Sequence, residues 1–150
     1  MSTVKSVVGT RSAVTVTGLS TLASATYIQS DAAVNCNTNQ PLDVVVEVSV
    51  ATTNAPASLK QVQVFIRESM DGTNYRSGPT SGTTATREAN LRNIGTVAVT
   101  TTATTEVGLF SVAAALGYVP YDFYIVLKNE TGVALTSGSV AKTEISGTVS

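Results

Sequence analysis

The sequence has 150 residues, a formal net charge of −1 and a charged fraction of 13%, about half of what is usual for a soluble domain. A chain of this length suits one domain with one hydrophobic core. Its balance of charges excludes the strong positive field that binding to a run of phosphates needs, so we expect no nucleic-acid partner. The 22 valines and 24 threonines make up nearly a third of the residues, and branching at Cβ favours strands over helices.

The N-terminal segment, residues 1–11, lacks the apolar run of a secretory signal and is predicted to form an arm. A single β-sandwich domain is predicted to follow over residues 12–150, beginning with short strands over 13–19 and 25–28. No apolar run in the sequence is long enough to cross a membrane as a helix, so we expect no membrane partner.

The clearest strand runs over residues 42–50, where apolar residues alternate with the others in strict period two. One face of this strand would carry Leu42, Val44, Val46, Val48 and Val50. A loop containing Pro56 leads to a second alternating strand around residues 61–67. The Asp71-Gly72 pair that follows favours a tight hairpin turn, because glycine readily adopts a positive φ.

Residues 77–93 are rich in Gly, Thr and Ser and show no apolar face. A loop of this length is long for a compact domain and is typical of functional or mobile segments. We therefore predict that this loop forms a contact that becomes ordered only in an assembly.

The second half of the chain resumes the strand pattern, with a turn at residues 129–132 and a single short helix candidate at 111–116. Its predicted strands cover residues 94–100, 104–112, 122–128, 133–136 and 140–149. Eight or nine strands without a helical layer predict an all-β fold, an antiparallel two-sheet β-sandwich with a jelly-roll-like topology and a long loop near residues 77–93.

The residues that most enzymes use are scarce. The chain has no histidine and one cysteine, Cys36, which excludes Ser-His-Asp and Cys-His sites and the common zinc patterns. Asp43 and Glu47 share a strand face at roughly 13 Å, too far apart for a glycosidase pair. Glu68 and Asp71 lack the further oxygen ligands of a calcium loop. We expect no enzymatic activity, no cofactor and no metal.

The segment from Ser69 to Tyr75 resembles a Ser-x-Asp-Gly-x-x-aromatic hairpin common in jelly-roll modules, including carbohydrate-binding and discoidin-like domains. A sugar-stacking surface would have to come from Tyr75, Tyr118, Tyr121 and Tyr124, because the chain has no tryptophan. The Asn129-Glu130-Thr131 sequence matches a glycosylation acceptor, but without a secretory signal a turn is the favoured interpretation.

Five segments taken in order resemble small proteins encoded in the structural-gene regions of tailed bacteriophages. They are residues 22–27, 41–44, 67–75, 110–114 and 128–132. The resemblance spans most of the chain and implies a jelly-roll virion protein, with capsid decoration or cement proteins as the nearest role. It implies a protein made in the bacterial host cytoplasm and located on the capsid surface of the virion.

In that role the chain would bind the outer surface of the phage head and stabilise contacts between major capsid proteins. Its partners would be the major capsid protein and copies of itself in a homo-oligomer. Arginine and tyrosine are enriched at interfaces, so the candidate interface residues are Arg11, Tyr75, Arg76, Arg87 and Arg92. Two alternatives are a carbohydrate- or receptor-binding module on a tail or fibre, and a β-sandwich subunit that joins parts of the neck or tail.

Overall fold

The structure is a computed structural model that describes residues 2–150, and its elements are almost all strands. In chain order they are β1 (Val4–Val8), β2 (Ser12–Val14), β3 (Tyr27–Gln29), β4 (Val34–Asn35), β5 (Asp43–Ala51), β6 (Gln61–Ser69), β7 (Ser81–Gly82), β8 (Arg92–Ala98), β9 (Glu106–Ser111), α1 (Val112–Leu116), β10 (Asp122–Glu130) and β11 (Ser137–Val149). Two short 3₁₀ turns lie at Leu19–Thr21 and Glu88–Asn90. The prediction of an all-β fold is confirmed.

The strands form two antiparallel sheets. In sheet I the order is β1-β11-β5-β9, and β2 joins β11 on the same side as β1. In sheet II the order is β7-β3-β10-β6-β8, and β4 joins β10 beside β3. Counting β1 with β2 and β3 with β4 as single interrupted strands, and leaving out the two-residue β7, gives eight principal strands, ordered 1-8-3-6 and 2-7-4-5. This is the two-sheet order of a jelly roll.

The core lies between the two sheets and follows the predicted alternation in β5. Val44, Val46, Val48 and Val50 are fully buried. Leu42 was predicted to share their face, but it precedes the strand and is 55% exposed. Its neighbour is Gly147 of β11, where an added Cβ would lie 3.1 Å from the Leu42 side chain. Leu42 therefore contributes to the surface rather than to the core.

The predicted N-terminal arm contains β1, which pairs with the far end of β11 in the register Val4 to Val149 and Val8 to Ile145. Met1 of the arm lies outside the described residues. Between Val8, which pairs with Ile145, and Ser12, which pairs with Lys142, the register shifts by one residue. Beyond Ile145, β11 has no β5 partner, so its end and β1 form a two-stranded ribbon.

The prediction that the loop over residues 77–93 has no apolar face is wrong. Its short strand β7 pairs with β3, and Pro79 and Leu91 are buried. Leu91 packs in a small second cluster with Tyr27, Phe65 and Val126 on the outer face of sheet II. The loop is thus attached to sheet II of its own chain by strand pairing and by apolar packing. Its last two residues, Arg92 and Asn93, already belong to β8.

Two further boundaries differ from the predictions. Residues 133–136 are not a strand, because Asn129 and Thr131 hold this segment in a turn through side-chain hydrogen bonds to Val133. The helix α1 is where a helix was predicted and begins after Ser111, whose Oγ accepts a hydrogen bond from the Ala114 N–H at 3.0 Å. A serine in this position satisfies an otherwise unpaired amide of the first turn.

Candidate interaction surface

Exposed apolar side chains are concentrated on sheet I. Of the eleven large hydrophobic side chains that are exposed among residues 2–150, seven belong to strands of this sheet or lie directly beside it. They are Val4, Val7, Val8, Leu42, Val107, Leu109 and Val149. All but Val7, which pairs with Ser146 on the other side of the β1–β11 ribbon, lie on the solvent-facing side of the sheet. Scattered exposed hydrophobics are normal, whereas apolar residues gathered on one face mark interaction sites. We call the solvent-facing side of sheet I the outer face.

Strand β9 is one edge of sheet I and supplies two of these residues to the outer face. Val107 and Leu109 are 58% and 65% exposed and pair with Ser49 and Glu47 of β5. The residue between Leu109 and the helix cap, Phe110, instead packs against the main core. The two faces of β9 are therefore both apolar, but only one of them is covered.

The predicted interface residue Arg11 lies on this outer face. Its guanidinium donates to both carboxylate oxygens of Glu47, with Nη2 at 2.7 Å from Oε1. The hydrogen bond and the positive charge of Arg11 hold the pKa of the Glu47 carboxyl below its ordinary value. The pair neutralises the charge of Glu47 beside Leu109, which leaves the middle of the face without a net charge.

The hairpin after β6 is built around Asp71, as the Asp71-Gly72 pair predicts. Asp71 Oδ1 accepts hydrogen bonds from the N–H groups of Asn74 and Thr73 at 2.8 and 2.9 Å, and these bonds hold its pKa well below the usual range. Gly72 has a φ of 76°. Ser69 bridges to Tyr75 to close the turn. The polar residues of this hairpin serve the turn itself.

Tyr75 and Arg76, two further predicted interface residues, lie at this hairpin, and both contact side chains of the same chain. The rings of Tyr75 and Tyr124 have centroids 5.0 Å apart, and the Arg67 guanidinium lies over both. Burial, with a contribution from Asp122, raises the pKa of Tyr75 to about 12. Arg76 forms an ion pair with the buried carboxylate of Glu68. Both side chains therefore support the hairpin, on the opposite sheet from Arg11.

The remaining predicted residues lie along the long loop. Arg87 is exposed and adopts a left-handed φ of 67° before the 3₁₀ turn. Arg92 is the first residue of β8 and is half-buried. The structure brings Tyr75 and Arg76 together but not the five predicted residues as one surface.

Sequence reasoning missed the outer-face residues Val107 and Leu109. The candidate interface residues were chosen among arginines and tyrosines, because these types are enriched at interfaces. Val107 and Leu109, by contrast, look in the sequence like ordinary core residues of an alternating strand. The signal that could have found them is that Val107 and Leu109 alternate with Gly108 and Phe110, which gives β9 two apolar faces where a one-sided strand needs one.

A cleft of about 560 Å³ opens between the sheets beside β2 and β4. Lys142 and Glu144 line it and form an ion pair at 2.6 Å. Asn39 donates a second hydrogen bond to Glu144 at 2.8 Å, and the pKa of Glu144 is lowered by Lys142 first and then by Asn39. Lys142 and Glu144 thus neutralise each other, while the third charged residue of the cleft, Asp31, accepts hydrogen bonds from the Thr17 N–H and Oγ1 at 2.9 and 2.6 Å.

Cys36 is 2% exposed, and burial raises the pKa of its thiol to about 11. Since the thiolate is the reactive form, we predict that the native protein reacts with Ellman's reagent at mildly alkaline pH only as fast as it unfolds. The unfolded chain, whose thiol has an ordinary pKa, should react at once in concentrated guanidinium chloride. Rapid, complete labelling of the native protein would contradict this placement of Cys36.

The raised pKa also fixes the direction of a pH effect on stability. The neutral thiol of Cys36 is favoured in the folded state, so its contribution to stability is complete below the ordinary thiol pKa. That contribution is lost as the pH rises through the ordinary value towards about 11. Replacing Cys36 by alanine should make the free energy of unfolding less dependent on pH in this alkaline range.

Residues 2–150 contain no cluster of three or more His, Cys, Asp or Glu side chains that could hold a metal ion. No helix in the same part of the chain is long and apolar enough to span a membrane. No protein-family model matches the sequence, and no curated protein is significantly similar to it.

Proposed function

We propose that the chain is a structural subunit of a tailed-phage virion, a decoration or cement protein that binds the outer surface of the head. The observation that carries this proposal is the concentration of exposed apolar side chains on the outer face of sheet I. Jelly rolls occur in viral capsid proteins and in lectins, and a fold alone does not assign a function.

The chemistry of the outer face suits a partner protein. Val107 and Leu109 provide apolar area, and the Arg11–Glu47 pair lies beside them as a polar group that is already neutralised. Apolar area surrounded by polar groups is the usual composition of a protein interface. The proposed partner is the major capsid protein, and many copies with a modest contact each would stabilise the shell.

The test is sedimentation of the chain with expanded shells assembled from the major capsid protein of the same phage. We predict that the unmodified chain binds the shells and that Leu109→Glu binds at least about tenfold more weakly, because a carboxylate would have to be buried without a partner. The matched control is Leu59→Glu, which changes a side chain that is 62% exposed outside sheet I.

Four results would count against the proposal. Failure of the unmodified chain to bind shells contradicts the role in the head. Binding to purified tails or necks instead favours the tail-associated alternative, and binding to a glycan array favours a carbohydrate-binding module. Equal binding by the Leu109→Glu variant would show that the outer face is not the contact.

A further inference from the structure

Strand β1 is a free edge of sheet I. All five of its residues are exposed, and Lys5 is its single charge. Proteins usually protect such edges with short strands, prolines, charges or bulges. The two edges of sheet II are protected in this way, since β7 has only two residues and the pairing of β8 is interrupted by a bulge beside Phe65. The edge formed by β1 has an unbroken backbone and three valines.

The hydrogen bonds to β11 determine which backbone groups of β1 remain available. Thr3 and Ser150 exchange two bonds of 3.1 Å, and the Gly9 N–H donates to Glu144 at 2.8 Å. In an antiparallel pair every second residue bonds to the partner strand, so the intervening residues direct their N–H and C=O groups away from β11. Those residues are Val4, Ser6 and Val8.

We propose that β1 pairs with β1 of a second copy, antiparallel and about a two-fold axis, to join two copies of sheet I into one continuous sheet. Val4 of one protomer lies opposite Val8 of its partner, and the two Ser6 residues lie opposite each other on the axis. Each of these pairs can exchange two backbone hydrogen bonds. On the other side of the strands, Lys5 lies opposite Val7.

This register follows from the sequence of the strand. It is the one antiparallel register in which all five residues of β1 find a partner within the strand. A shift that pairs Val4 with Ser6 would place Lys5 opposite Lys5 of the partner, and like charges in that position destabilise a sheet. The same surface patch on both protomers makes the interface isologous, which closes the assembly at two copies.

The inference deepens the proposed function, because it names the surface through which copies of the chain meet, and it rests on that proposal for its setting in a virion. Val4, Val8 and Val149 lie on the same side of the ribbon as Leu42. Dimerisation would therefore join the apolar ribbons of two protomers into one surface next to the outer face.

Analytical ultracentrifugation of the purified chain over a range of concentrations is the first measurement. We expect a reversible dimer for the unmodified chain and a monomer for Ser6→Pro over the same concentrations. Proline removes the outward-pointing N–H, which β11 does not use, and edge strands tolerate it in this position. The matched control is Ser6→Ala, which keeps the N–H and should keep the dimer. Circular dichroism checks that each variant is folded.

A second pair of variants tests the register without altering the backbone. Val4→Lys combined with Val8→Glu places opposite charges across the proposed interface and should still dimerise at low ionic strength. Val4→Lys combined with Val8→Lys places like charges there and should weaken dimerisation, by about tenfold for the two equivalent pairs together.

A chain that is monomeric at every concentration overturns the inference, as does a folded Ser6→Pro variant that still dimerises. Equal dimerisation of the two charge variants overturns the register, and growth into filaments would show a head-to-tail contact instead. Shell binding is measured separately, so a monomer that binds shells refutes only the β1 pairing. A dimer that does not bind shells refutes only the proposed function.

Discussion

Replacing Asn129 by alanine should lower the free energy of unfolding by about 3 kcal/mol, one of the largest single-residue effects in this protein. Asn129 is fully buried at the end of β10. Its Nδ2 donates to the carbonyls of Leu22 and Val133 at 2.8 Å each, and its Oδ1 accepts from the Thr131 N–H at 2.9 Å. The Thr131 Oγ1 lies 2.8 Å from both the Asn129 Oδ1 and the Val133 carbonyl and donates its one hydrogen to either of them. One side chain thus joins the end of β10 to the segment at Leu22 and to the turn at Thr131 and Val133.

The four hydrogen-bonding groups around Asn129 are not equally affected when its side chain is removed. The Leu22 carbonyl keeps a second donor in the Leu135 N–H, and the Val133 carbonyl keeps the Thr131 hydroxyl. The Thr131 N–H would be left buried without an acceptor, which is the costly outcome. Denaturant unfolding would measure the change, with the exposed Asn93→Ala as the control. A loss no larger than that of Asn93→Ala would refute this role for Asn129.

Replacing Gly95 by valine should also destabilise the fold, by about 1 to 3 kcal/mol, although valine is the better strand residue. The ring of Phe110 lies directly over Gly95, and an added Cβ would be 2.2 Å from two of its carbons. Gly108 of β9 lies under the far end of the same ring, at 2.5 Å from the equivalent position. The two glycines make room for the ring that connects β9 to β8.

Thermal unfolding of Gly95→Val with and without Phe110→Ala would show whether the ring causes the loss. We expect the double variant to be more stable than the sum of the two single effects predicts, since removing the ring relieves the clash. The control is Thr96→Val, a neighbouring exposed position in β8. Strictly additive effects would show that Gly95 is constrained by something other than Phe110.

The fold class could be predicted because the core-facing strands carry their own pattern. Val44 to Val50 alternate as a half-buried strand must, and the turn residues Asp71 and Gly72 mark a hairpin. The pattern does not state where a strand begins, because Leu42 fits the alternation and yet lies outside the ladder. The pattern also does not show which part of segment 1–11 forms a strand, because β1 pairs with β11, some 140 residues away along the chain.

The candidate site could be predicted only in part. Arg11 was found from residue type alone and lies on the outer face, where it pairs with Glu47 of the same chain. Tyr75 and Arg76 also have partners in the same chain, but at the hairpin of sheet II. A side chain that binds its own hairpin and one that binds another protein look identical in a sequence. Leu91 is buried and Leu109 is exposed, although both are leucines in strand-rich sequence. The difference depends on which residues, distant in the sequence, cover each of them.

The central position of β11 in sheet I has a consequence for biosynthesis. This strand is the one furthest along the chain, and it lies between β5 on one side and β1 with β2 on the other. During translation the first strands therefore remain unpaired until β11 itself has been synthesised and has left the ribosome. Sheet I should accordingly form late and slowly for a domain of this size, and a chaperone bound to the unpaired strands would protect them from aggregation.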